Sequence, residues 1–361
     1  MKIFGNALQI LKNSLEYKWA NFYCNSVALP LDFGIGTGEM GMIKKAIAVM
    51  TSGGDSPGMN AAARAVVRTA IHEGVDVWGI NNGYKGMLED DMEQLTTRSV
   101  SDMIQRGGTF LGTARCKEFK TEEGRKKGLD NLRSHGIEGL VIIGGDGSLT
   151  GGSLLAELGM PIVGLPGTID NDVWGTDYTI GSDTAANTAV DAINKLRDTA
   201  SAHRRIMIVE VMGHTSGWLA VVSGIAGGAE YIIVPEVKFD LDSMCHEIKE
   251  SYEKGKRYSI IVVAEGACSA MGLGKVVQEK TGIDTRVSIL GHIQRGGSPT
   301  VEDRMKASQL GERAALAIIS GVSNVVFGFD AGKVVSINLF DAVNNTKTLD
   351  PELVRLARVL A

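Results

Sequence analysis

Cysteine is scarce: four residues, Cys24, Cys116, Cys245 and Cys268, in a chain of 361. No two of them stand in a CxxC spacing, so no zinc knuckle or dithiol redox pair is written here, and reduced thiols are expected. Proline is scarce too, at 7 residues, which excludes a Pro/Gly low-complexity chain. No apolar run approaches the ~18 residues of a membrane span. The signature GxxxxGK[ST] is absent, and so is HRD, without which the triplet Asp32-Phe33-Gly34 makes no protein-kinase set, closing the ordinary P-loop and protein-kinase routes. A dominant charge is also lacking. With 37 basic residues against 42 acidic, the formal net charge is −5, which excludes a general nucleic-acid coat but not local phosphate sites.

What is plentiful is glycine, at 46 residues, nearly twice the usual share of about 7%. Such an excess points to tight strand-to-helix turns or close ligand approach. Hydrophobic content of 44% with 22% charged is that of an ordinary globule rather than a disordered chain. At roughly 150 residues per domain the length suggests two domains or one large α/β body.

Residues 1–41 do not resemble the rest of the chain. They are too polar in the middle, and too poor in arginine, for a signal or transit peptide, and they read as an appendage. The folded unit is expected to begin at Met42, where an apolar run, Ala46 to Met50, stops at Thr51-Ser52-Gly53-Gly54-Asp55. Short buried strands are expected at Val75–Ile80, Gly139–Ile143, Pro161–Leu165, Ile206–Val211, Tyr231–Val234 and Ser259–Ala264. Helical patterns fall at Ala61–Glu73, Glu122–Ser134, Asp183–Arg197, Leu241–Lys254 and Asp303–Ser320. This alternation predicts an α/β fold with two doubly wound, mainly parallel Rossmann-like domains and ligands at the carboxyl ends of the strands.

Four glycine-rich turns stand out, the first three directly after expected strands. In Ser52–Asn60 the bare Gly53 and Gly54 allow an anion to approach the main chain at a helix N-terminus, although a purely structural turn reads equally well. In Gly144-Gly145-Asp146-Gly147-Ser148 a carboxylate among glycines could hold Mg²⁺ while amides face a polyphosphate; the plain alternative is a helix cap. In Pro166–Asp172, Asp170 and Asp172 would project to one side of an extended segment, with Thr168 two residues before. That pattern suggests a base beside a metal-positioning group. In Leu290–Gly297, His292 and Arg295 flank Ile293 and Gln294 before a glycine pair, as a phosphate clamp would.

Taken in order, TSGGDSPGMNAA, QRGGTFLGTAR, GGDGS, PGTIDND, VEVMG and GHIQRGGSP closely resemble the bacterial ATP-dependent 6-phosphofructokinases over Met42 to Ala361. The resemblance implies cytoplasmic, Mg-dependent phosphoryl transfer from ATP to O1 of fructose 6-phosphate. It implies that 42–180 plus about 293–343 bind ATP, and that about 181–292 plus 344–361 bind the sugar. Gly54, Arg115, Cys116 and Gly145 to Ser148 would line the ATP site, with Asp146 on the metal. Asp170 would be the base, with Thr168, Asp172 and Arg115 supporting transfer, and Thr168, Ile169 and Asp170 would also touch the sugar. Met212, Gly213, His214, Glu265, His292, Ile293, Gln294 and Arg295 would hold the sugar, and Arg205 and Arg286 would reach a neighbour's sugar phosphate in a homotetramer. An effector site for ADP or phosphoenolpyruvate would use Arg64, Arg68, Asp102, Arg197, Gly228, Glu230, Lys254 and Lys256.

Two departures stand out. His214 occupies a place usually held by arginine, and Thr97, with Arg98 beside it, replaces a further effector arginine. Pyrophosphate-using relatives carry Asp and Lys where this chain has Gly147 and Gly167, so ATP is the expected donor. A pyrophosphate-dependent enzyme and a non-catalytic nucleotide or sugar-phosphate sensor are the rival readings. Neither a nucleic-acid nor a membrane partner is implied.

Overall fold

A computed structural model describes residues 46–360. The expected 1–41 appendage and the Met42 start lie outside the described residues.

The first strand, β1 (Ala46–Ser52), is buried along its whole length. It lies between β2 (Asp76–Ile80) and β4 (Ile137–Gly144), parallel to both. Beyond β4 come β5 (Ile162–Pro166) and β10 (Val325–Asp330), also parallel. The edges are antiparallel: β3 (Met92–Leu95) beside β2, and β11 (Lys333–Asn338) beside β10. The order is β11-β10-β5-β4-β1-β2-β3. Strands covered on both faces must be apolar throughout, which is why AIAVM and GLVII announce themselves in the sequence. The edges do not. In β3, Glu93 and Gln94 face solvent, which blunts the edge against further pairing.

A second sheet, ordered β7-β8-β6-β9, is wholly parallel. Its strands are β6 (Ile206–Val211), β7 (Tyr231–Ile233), β8 (Ser259–Ala264) and β9 (Thr285–Ile289).

The helices are α1 (Met59–His72), α2 (Tyr84–Glu89), α3 (Glu122–Ser134), α4 (Asp146–Glu157), α5 (Ser182–His203), α6 (Trp218–Ala226), α7 (Leu241–Glu253), α8 (Ala270–Thr281), α9 (Val301–Ile319), α10 (Leu339–Asn344) and α11 (Pro351–Leu360). Each expected helix is present, and α5 runs on past Arg197 until Arg204 turns left-handed at φ 56. Helices α2, α4, α6, α8, α10 and α11 and strands β3, β9, β10 and β11 were not expected. The α4 sequence, DGSLTGGSLLAE, reads as a loop because of its glycine pair. There the side-chain space at 151 and 152 is taken by Tyr84 and Ile142.

The chain passes from the first sheet to the second through residues 167–181, returns through a 3-10 turn, Gly291–Arg295, into α9, and sends α11 back to pack on α6. Connections leave β1 and β4 toward opposite edges, so the strand order reverses between them. Ser52 and Gly144 are paired in register at that point. Such a reversal opens a crevice at the strand ends where ligands bind in doubly wound sheets.

Candidate active site

The GGDG turn places Asp146 as the first residue of α4, with Gly145 at the cap. The exposed amides of a helix N-terminus favour an anion there. Facing it, the turn after β1 is tied down on two sides. Ser56 Oγ donates to the Ile180 carbonyl at 2.8 Å, and Thr113 Oγ1 donates to the Gly53 carbonyl at 2.7 Å. The second bond lays the 109–115 segment along the crevice, ending in an exposed Arg115 and a half-buried Cys116.

The PGTIDND segment leaves β5 and closes on itself. Thr179 Oγ1 donates to the Thr168 carbonyl at 2.6 Å, the Asp170 amide donates to Thr168 Oγ1 at 3.2 Å, and Asn171 Nδ2 donates to the Asp177 carbonyl at 3.0 Å. It is not the extended segment expected from spacing. Asn171 is left-handed, at φ 50, a conformation Asn tolerates better than most residues. Asp170 and Asp172 therefore share the site through a turn rather than by strand alternation. Ile169, expected at the sugar, is 3% exposed and packs with Met212 in the core of the second sheet.

Three carboxylates converge here. Burial, then Asp172, then Asp170 push Asp146 up to about 6. Burial, then Asp172, push Asp170 up to about 6, with Glu265 adding to the rise while Arg295 and His214 oppose it. Asp172 is also raised, chiefly by burial, against its own amide, Lys347 and His214. The cluster thus draws on both sheets. Arg295 comes from the turn after β9 and lies over Gly54, where a Cβ would sit 3.0 Å from its Nη1. Glycine at 54 admits this guanidinium opposite Asp170.

Among the described residues no three acidic, His or Cys side chains form a metal cage. Mg²⁺ commonly takes one or two carboxylates together with substrate phosphates. Asp146, crowded by two further carboxylates at a helix N-terminus, fits such a half-built site.

Residues 46–318 match the family model described as phosphofructokinase. The chain belongs to the phosphofructokinase family. It is 53% identical over 317 residues to an ATP-dependent 6-phosphofructokinase of Bacillus pumilus, with 88% of this chain and 99% of that protein covered. It is likewise 53% identical over 317 residues, with the same coverage of both chains, to the enzyme of that name from Clostridioides difficile. The phosphofructokinase structure from Saccharomyces cerevisiae is 41% identical with a TM-score of 0.77, covering 83% of this chain and 45% of that one. A pyrophosphate-dependent phosphofructokinase from Marinobacter aquaeolei superposes at a TM-score of 0.78 with 21% identity, covering 86% of each chain. The phosphofructokinase fold by itself therefore leaves the donor open.

The motifs expected at the sugar sit at the carboxyl ends of β6, β8 and β9 of this phosphofructokinase, and some of their polar groups are already engaged. The Met212 amide donates to Gln294 Oε1, and the His214 amide donates to Glu265 Oε1, each at 2.9 Å. Gln294 is fully buried and its Nε2 has no partner, whereas His214, His292 and Ile293 are exposed. His214 acts electrostatically on Asp170 and Asp172, favouring their charged forms. An arginine there would bring a permanent charge and five donors. His214→Arg is expected to raise kcat/KM for fructose 6-phosphate severalfold, which steady-state kinetics would measure.

Arg205 and Arg286 are not part of this cluster. They stand at the amino ends of β6 and β9, about 16–23 Å of strand from Met212. There Asp284, which the sequence reading missed, holds both. Arg286 Nη2 is 3.1 Å from Asp284 Oδ1. Arg205 Nε lies 2.7 Å from Asp284 Oδ2, close enough for an ion pair but off the line of a hydrogen bond.

The expected effector residues form two groups. Arg64 and Arg68 are neighbours on α1, and burial together with Arg68 lowers the Arg64 pKa. On the second sheet, Arg197 donates to the Gly228 carbonyl at 2.9 Å and Lys256 pairs with Glu230 at 3.0 Å. Lys254 is turned to Glu250 at 2.7 Å, and Asp102 is exposed at φ 54.

Proposed function

We propose that this chain transfers the γ-phosphoryl group of ATP to O1 of fructose 6-phosphate, giving fructose 1,6-bisphosphate and ADP, the committed step of glycolysis. The convergence of Asp146, Asp170 and Asp172 between a phosphate-receptive helix N-terminus and Arg295 carries this reading. Residues 42–180 with about 293–343 would hold the nucleotide, and about 181–292 with 344–361 the sugar.

Phosphoryl transfer makes little covalent demand on the protein, so alignment and charge balance dominate. Aligning the two substrates can supply roughly 7–11 kcal/mol. The first amides of α4, with Gly54, Cys116, Gly147 and Ser148, would seat the triphosphate. Asp170 accepts the O1 proton as the oxygen bonds to phosphorus and the bond to ADP breaks. Arg115 and Arg295 balance the charge spreading over the phosphoryl oxygens. Asp146 would hold Mg²⁺, which when bound draws electron density from the phosphate oxygens.

Donor choice rests on Gly147 more than on Gly167. A Cβ at 147 meets nothing within 4 Å, whereas one at 167 would lie 2.9 Å from Met59 Cε and 3.1 Å from Ile143 Cγ2. A larger residue at 167 is admitted only if Met59 and Ile143 give way, so packing as well as the donor bears on that position, while position 147 is free to report on the ligand. Gly147→Asp is expected to lower kcat/KM for ATP at least ~10-fold, through crowding and repulsion of the triphosphate, with an unchanged Tm.

A homotetramer fits Arg205 and Arg286, which lie too far from the acidic cluster to serve it within one chain. It also fits the open edge of β9, where Ile289 is 54% exposed. Cytoplasmic location and effector binding of ADP or phosphoenolpyruvate belong to the same reading. Among the described residues no helix is long and apolar enough to cross a membrane. A coupled assay with fructose 6-phosphate decides the function. Turnover with ATP exceeding that with pyrophosphate is expected, the reverse would name the pyrophosphate enzyme, and binding without turnover would name a sensor.

A further inference from the structure

Asn171 stands between Asp170 and Asp172 and takes no part in the exchange of bonds itself. It is 2% exposed, its backbone is left-handed at φ 50, and its Nδ2 donates to the Asp177 carbonyl at 3.0 Å. Its Oδ1 has no hydrogen-bond partner among the described residues. A buried acceptor left unmet is unfavourable, so what keeps this side chain in place is its donor and the backbone it tolerates. Glycine would take the same backbone more readily but brings no donor. Aspartate shares the tolerance for a left-handed φ but, when ionised, only accepts. Asparagine meets both demands. Its partner is a fixed point. The Asp177 amide donates to the Phe329 carbonyl near the end of β10, and Asp177 Oδ2 accepts from the Ala331 amide in the β10–β11 turn, both at 2.8 Å. Thr176 Oγ1 accepts from the Phe329 amide and donates to the Tyr178 carbonyl, both at 2.9 Å. Residues 176–178 are thus pinned to a hairpin of the first sheet. Within the turn that carries the two half-buried carboxylates, the Asp170 amide reaches Thr168 Oγ1 at 3.2 Å, the long end of the usual range.

We infer that Asn171 is a positioning residue for phosphoryl transfer: its side-chain amide ties the turn bearing Asp170 and Asp172 to the pinned Asp177 carbonyl, and so holds the base in place for the acceptor hydroxyl. This rests on the reading of Asp170 as that base. Because the Asn171 amide is spent on Asp177, its effect falls on alignment. A misplacement of about 1 Å can cost ~100-fold in rate, while ground-state contacts made by other residues survive.

The test is a double-mutant cycle on the full-length chain, pairing Asn171→Gly with Asp170→Asn. Asn171→Gly keeps the left-handed backbone and removes the donor. It is expected to lower kcat about 10–100-fold while KM for ATP and for fructose 6-phosphate each stay within about threefold. Asn171→Ala, which also strains the backbone, is expected to lose at least as much kcat and more Tm. With Asp170→Asn already present there is no base left to align, so Asn171→Gly is expected to lower kcat by no more than about threefold further. A residue that only stabilises the fold would lower kcat by the same factor in both backgrounds, and that result overturns the assignment. An undiminished kcat in Asn171→Gly overturns it too, as does failure of both Asn171 variants to fold. No turnover by the unaltered chain, or near-normal turnover by Asp170→Asn, overturns the reading of the base and this inference with it. Normal turnover by the unaltered chain with a deep loss in Asp170→Asn confines any failure to Asn171.

Discussion

Replacing Asp170 by asparagine is expected to lower kcat by about 10²–10⁴-fold while KM for fructose 6-phosphate stays within a few fold. Asparagine keeps the size and one acceptor oxygen of the side chain but cannot take the O1 proton. Ground-state contacts survive and the step that needs a base does not. Burial and Asp172 hold Asp170 near about 6, so kcat/KM of the unaltered enzyme is expected to fall as pH drops through that value. The Asp170→Asn variant should lack the Asp170 contribution to this acid limb. The same shift fixes the sign of the stability change. A carboxyl that holds its proton more tightly in the fold than in the unfolded chain destabilises the fold progressively as pH rises from ~4 toward 6, and by a constant amount above. Asp170→Asn should therefore show no loss of Tm at pH 7, which separates its lost turnover from a folding defect. Near-normal turnover would remove Asp170 from the mechanism.

The parts of this site that were legible in sequence are those where chemistry coincides with a strand end. Runs such as AIAVM before SGGD, or GLVII before GGDG, give the buried strand and the ligand-facing turn in one stretch, because a strand covered on both faces has no polar period to hide it. The hairpin of β10 and β11 was missed for the opposite reason. Its two-residue turn is Ala331-Gly332, with φ 46 and 78, instead of the Asn-Gly pair that usually marks such turns. Asp284 was missed because a carboxylate two residues from an arginine reads as ordinary surface charge until β6 lays Arg205 beside it.

Asp303 is the largest structural effect the sequence did not announce, and its removal is expected to cost about 3–5 kcal/mol. Its carboxylate is 0% exposed. Oδ1 accepts from the Gly181 amide at 2.6 Å and from the Tyr178 hydroxyl; Oδ2 accepts from the Thr184 amide at 2.8 Å and from the Thr184 hydroxyl. The spacing Thr300-x-x-Asp303 signals a helix start, and Thr300 Oγ1 does accept from the Asp303 amide at 3.2 Å. A cap explains the position but not the four remote donors. These tie α9, on the first sheet, to the start of α5, on the second, and to the crossing that carries Asp170. Burial pushes the carboxyl up while the four donors pull it down, so the charge is tolerated only because each donor is met. Asp303→Ala strands two amides and two hydroxyls in the interior. Asp303→Asn leaves one acceptor oxygen and turns a second set of donors toward donors. Both variants should unfold at lower urea, alanine and asparagine alike losing at least ~2 kcal/mol. Activity should fall with stability in both, unlike Asp170→Asn, where turnover is lost from an intact fold. An unchanged urea midpoint for Asp303→Ala would mean that the junction of the two sheets is held by apolar packing alone.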